Sequence, residues 1–61
     1  MSYTMTFKAE LYKQRLSTLR RERGRIRTLQ CLSYELKQKC LKFYDDEIEW
    51  HENALEEELS R

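Results

Sequence analysis

The sequence predicts an all-α protein, a helical hairpin or long bent helix with coiled-coil-like packing that assembles as an antiparallel dimeric helical bundle. Three observations carry that expectation. Leu, Glu, Lys, Arg and Gln fill most positions from Phe7 to Leu59, and proline never interrupts them. Apolar residues recur at alternating three- and four-residue steps. No stretch alternates polar and apolar residues for long enough to read as a strand.

The chain has 61 residues, of which 38% are charged and 39% apolar. A single domain, residues 1–61, is the most it can hold. A chain this short buries only about 60% of the surface it exposes when unfolded, so a lone core is marginal and a covering partner is expected. A self-contained enzyme with a deep, dry pocket is not expected, on the same ground. No apolar run approaches the ~18 residues of a membrane-spanning helix. The opening MSYTMTFKAE lacks the basic start, apolar middle and small-residue cleavage site of a secretory signal, so an intracellular location, cytoplasmic or nuclear, is expected.

Helix one is expected over about residues 6–23. Thr4 or Thr6 supplies its N-cap, a hydroxyl accepting from an orphan backbone N–H, and Tyr3, Met5 and Phe7 lie at its frayed or docking start. Tyr12, Leu16, Leu19 and Ile26 form its apolar stripe, with Arg23 where one apolar member is missing. A turn is placed near Gly24, the residue most at ease in the left-handed conformation that commonly follows a helix end. Continuation through Gly24 costs only about 1 kcal/mol relative to Ala, so an uninterrupted rod of about 80 Å is the alternative.

Helix two is expected over about residues 26–59. Its stripe runs Leu29, Leu36, Cys40, Phe43, Trp50 and Ala54, with Ser33 and Glu47 as polar members. Ile26 and Leu29 fit the same heptad position although only three residues separate them, so the two stripes are out of phase just after Gly24. Asp46 followed by Glu49 matches a capping box and marks a weaker second break. A helix two much longer than helix one would leave Phe43, Ile48, Trp50, Ala54 and Leu55 in water, and association of copies relieves that. The self-association residues are therefore Leu16, Leu19, Ile26, Leu29, Leu36, Cys40 and Phe43. An antiparallel alignment sets Leu36 against Cys40, Ile26 against Trp50, Arg27 against Glu49 and Arg20 against Glu56, and a parallel one sets like charges together.

Net charge is +1, which hides an asymmetry. Residues 1–30 hold eight Lys or Arg and two Glu, a balance of +6; residues 31–61 hold four Lys or Arg and nine Asp or Glu, a balance of −5. Arg20, Arg21, Arg23, Arg25 and Arg27 resemble an arginine-rich nucleic-acid-binding segment, since guanidinium groups contact phosphates bidentately and release counterions. The bland reading is a solvated face, or a charge match to the acidic half. The Asn, paired Ala and Ser or Cys of a basic-zipper region are absent.

Tyr34, Leu41 and Tyr44 lie off the main seam and share a second apolar strip, either the dock for helix one or a surface for a foreign partner. With Trp50 they are the candidate partner anchors. Glu47 and His51, four residues apart, read as an exposed ion pair and only weakly as half a metal site. Cys31 and Cys40 read as small buried hydrophobes, in a chain with no nucleophile-activating set. No cofactor, metal or catalytic residue is expected. The sequence thus points to a self-associating interaction module that works as an adaptor, assembly subunit or inhibitor, with a nucleic-acid-binding regulator as runner-up.

Overall fold

The computed structural model describes residues 6–60. They form two helices, α1 (Phe7–Thr28) and α2 (Tyr34–Leu59), folded back on each other through residues 29–33. No strand occurs among the described residues. The hairpin is 51 Å long and 15 Å by 12 Å across, so the uninterrupted 80 Å rod is not the form adopted.

Thr6 caps α1: its Oγ1 accepts from the Ala9 N–H at 3.1 Å and donates to Glu58 Oε2 at 3.0 Å. One hydroxyl thus closes the first turn and ties it to the last turn of α2. Tyr3, Thr4 and Met5 lie outside the described residues.

The turn is not at Gly24. That residue sits inside α1, which continues for a further turn to Thr28. The strong helix formers around it absorb the cost, and its neighbours on the packed face, Arg23 and Ile26, keep the helix seated. Arg25 and Arg27 occupy the last turn, where cations suit the helix dipole. The chain then leaves through Leu29, in extended conformation, whose N–H bonds back to the carbonyls of Arg25 and Ile26. Ser33, also extended, opens α2 by accepting the Leu36 N–H on Oγ at 3.2 Å. No described residue has a positive φ, so this turn needs no glycine. Helix two therefore starts at Tyr34 rather than near residue 26, and it runs through Asp46 without a break.

With α1 at 22 residues and α2 at 26, the helices are nearly matched in length. The basic first half of the sequence consequently finds the acidic second half within one chain. On α1 the covered positions are Ala9, Leu11, Tyr12, Leu16, Leu19, Glu22, Arg23 and Ile26, the stripe expected from the sequence with Ala9, Leu11 and Glu22 added. On α2 they are Lys37, Leu41, Tyr44, Ile48, His51, Leu55 and Glu58, again in steps of four and three. Ile48, Ala54 and Leu55 are half-buried rather than left in water. The core is thin: among the described residues only Ala9 (0% exposed), Leu16 (4%) and His51 (7%) are buried.

Two substitutions test this arrangement. Gly24→Ala places its Cβ in open space, so it should raise stability by about 0.5 to 1 kcal/mol in urea denaturation, whereas a glycine-dependent turn would be weakened. Leu16→Ala removes the largest buried apolar side chain and should cost about 2 to 4 kcal/mol by the same measurement.

Candidate interaction surface

Each turn of α2 offers two apolar rows. The inner row, Leu41, Tyr44, Ile48, His51 and Leu55, is covered against α1. The outer row consists of Leu36, Phe43 and Trp50, which remain 48%, 58% and 57% exposed. A seven-residue step advances a helix by two turns less about 20°, so these three side chains lie nearly in line along some 21 Å of helix. Cys40, Glu47 and Ala54, each half-buried, fill the positions between the outer row and the inner one.

An aromatic cluster anchors one end of the outer row. The Trp50 ring meets Tyr12 of α1 edge-on, centroids 6.0 Å apart at 79°, and meets His51 at 5.0 Å and 73°. Tyr12 also stands edge-on to His51 at 6.1 Å. Trp50 is thereby braced on its inner side while its outer side stays open, which fixes its orientation without covering it. Phe43 is braced in the same way by an edge contact with Tyr44, centroids 5.5 Å apart.

His51 is buried at the centre of the helix pair, and its Nδ1 lies 2.7 Å from the Glu47 carbonyl oxygen. A carbonyl only accepts, so Nδ1 carries the proton and donates. This corrects the expectation of an exposed Glu47–His51 ion pair: the partner is the backbone of Glu47, and the ring is a core group. Among the described residues no three His, Cys, Asp or Glu side chains come together as metal ligands. Cys31 lies exposed in the turn and Cys40 is half-buried on α2, both as free thiols, so they are neither deeply buried nor on one helix.

The arginine run is divided. Arg20 pairs with Glu52 at 2.5 Å and Arg23 Nε with Asp45 at 2.6 Å, both across the two helices of one chain. Arg20 thus meets Glu52 of its own chain, where the sequence alignment set it against Glu56 of a second copy. Such exposed pairs contribute about 0.2 to 1 kcal/mol each and serve mainly to set the register of the helices. Arg21, Arg25 and Arg27 are exposed.

The candidate partner residues separate accordingly. Leu41 and Tyr44 belong to the inner row; Tyr34, at the first turn of α2, is exposed at 79%; Trp50 belongs to the outer row. Of the candidate self-association residues, Leu16, Leu19 and Ile26 face α2 within the chain, Leu29 lies in the turn, and Leu36, Cys40 and Phe43 lie on or beside the outer row. Among the described residues no helix is long and apolar enough to cross a membrane. Comparison with family models, curated proteins and solved structures finds no match to this chain.

Partial loss of solvent, reinforced by the charge of Glu22 and a hydrogen bond to it, lifts the Tyr44 phenol above its ordinary value of 10.0. The folded chain therefore holds this proton more tightly than the unfolded chain. The associated stability is complete below pH 10 and is lost as pH rises through the folded-state ionisation of Tyr44. In urea titrations carried from about pH 8 to about pH 11, Tyr44→Phe should lose less stability at the alkaline end than the parent chain.

Proposed function

We propose that this chain is a small helical protein–protein interaction module, an adaptor, assembly subunit or inhibitor whose working surface is the outer row of α2. The observation that carries the reading is the exposure of Leu36, Phe43 and Trp50 after α1 has covered the opposite side of the same helix. Three large apolar side chains at heptad spacing on a 26-residue helix form a seam that accepts another helix, knobs into holes. Two of the three are aromatic, giving large contact area with few rotors to immobilise. Phe43 and Trp50, with Leu36, replace Leu41 and Tyr44 as the anchors. The free thiols of Cys31 and Cys40 suit a reducing intracellular compartment.

A nucleic-acid-binding regulator is the second reading, favoured by one specific observation. The hairpin gathers Arg21, Arg25 and Arg27 at its turn end together with Lys37, Lys39 and Lys42 from the start of α2.

A photoreactive amino acid replacing Phe43 tests the first reading in cells. It should give discrete cross-linked polypeptide adducts, whereas the same group replacing Ser17, exposed on α1, should give none; absence of adducts at position 43 overturns the proposal. Binding of duplex nucleic acid that falls steeply with added salt, and that weakens on changing Arg20, Arg21, Arg23, Arg25 and Arg27 to Ala, would instead select the second.

A further inference from the structure

The fold redistributes the charge of the chain. Residues 20–42, which make up the turn end of the hairpin, contain eight Lys or Arg and two Glu, a balance of +6. At the open end, residues 43–60 contain eight Asp or Glu with no Lys or Arg, and residues 6–19 contain three Lys or Arg and one Glu, so that end carries −6. The two ends are separated along a rod 51 Å long, far beyond the ~8 Å over which physiological salt screens charge. The outer row of α2 bridges the boundary: Leu36 lies in the basic end, Trp50 in the acidic end and Phe43 at the change of sign.

We infer that the occupant of the outer row is a second copy of this chain, running antiparallel, with the two Phe43 side chains meeting at the twofold axis. The inference rests on the interaction-module reading and names its partner. In this register Leu36 stands opposite Trp50 of the other copy at both ends of the seam, so the whole row is covered by itself. Lys39 comes level with Glu47 of the other copy, a pair that occurs twice. At larger scale the +6 end of each hairpin lies along the −6 end of its neighbour. A parallel pair would stack like ends over their full length and set Glu47 against its own copy, a juxtaposition that costs affinity. The apolar row supplies the attraction and the axial charge selects the direction. The seam expected from the sequence is thereby shortened to its α2 members, because Leu16, Leu19 and Ile26 are used within the chain.

Sedimentation equilibrium of the full purified chain, with helix content followed by circular dichroism, tests this. The parent should be a dimer whose mass reverts to 7.6 kDa on dilution. Phe43→Glu brings two carboxylates together at the axis and should weaken the dimer by roughly tenfold or more while leaving helix content intact. Glu47→Lys should also weaken it, and adding Lys39→Glu should restore it, because the swapped pair is again complementary only in the antiparallel register. A parent that stays monomeric, a dimer indifferent to Phe43→Glu, or failure of the double exchange to restore association overturns the inference. Should Phe43→Glu lose helix content, the Lys39 and Glu47 exchange decides alone. A monomer that still forms adducts with a different polypeptide through position 43 in cells would end this inference and leave the interaction-module reading standing.

Discussion

One constraint governs this molecule: α2 carries two apolar rows, and the described residues contain only one other helix to cover them. A helix presents roughly a 100° stripe to each neighbour, and α1 takes the stripe that contains Leu41, Tyr44, Ile48, His51 and Leu55. What remains on α2 is regular in spacing and large in side-chain volume, which is the basis of the interaction-module reading. Single exposed apolar residues are ordinary on proteins; an aligned row of Leu, Phe and Trp on one helix is not. The thinness of the core belongs to the same constraint, since two helices meeting along one line enclose little volume. Among the described residues only Ala9, Leu16 and His51 are buried.

The core histidine shows how the inner interface accommodates a polar group. His51 satisfies Nδ1 on the backbone of its own helix, four residues back, and presents its ring to Tyr12 and Trp50. No partner from α1 is required for that hydrogen bond, so the group is carried into the interface already satisfied. The same side chains brace Trp50 from beneath. The inner interface and the outer row are therefore mechanically joined at Tyr12, His51 and Trp50, while at Phe43 the link runs only through the neighbouring Tyr44.

Tyr12, Leu16, Leu19, Arg23 and Ile26 on α1 were legible in the sequence because their period is undisturbed, whereas Ala9, Leu11 and Glu22, which widen the covered face, do not stand out by that period. On α2 the outer row was legible, but of the inner row only Leu41 and Tyr44 were, with Ile48 and Leu55 expected in water and His51 in an exposed ion pair: periodicity can show that a helix has two apolar rows and is silent on which neighbour takes which. Choosing between them needs the turn, and the turn was misplaced. Glycine marks helix ends that close with a left-handed residue, and this chain closes α1 through extended Leu29 and reopens at Ser33. The signal that would have found it is Ser33 followed by Glu35, an N-cap with an acid in the first turn. The phase slip between Ile26 and Leu29 was a true sign of a break. It reported that the two stripes belong to different helices, and its position differs from the actual turn by only a few residues.

On the interaction-module reading, Glu47 would give the outer face its selectivity. It sits half-buried beside the apolar row between Phe43 and Trp50, where a larger apolar residue would make a stickier and less discriminating surface. While the face is open to water the carboxylate stays solvated at little cost. Once the face is covered, it loses that solvent, and an unpaired charge at an interface costs several kcal/mol. On the interaction-module reading an occupant is favoured on two counts: a cation at that level, added to the chain's own Arg15, which lines the groove beside Glu47, and apolar groups to match Leu36, Phe43 and Trp50. A generic amphipathic helix meets the second and lacks the first. An antiparallel copy of α2 meets both, since the residue that arrives opposite Glu47 is Lys39.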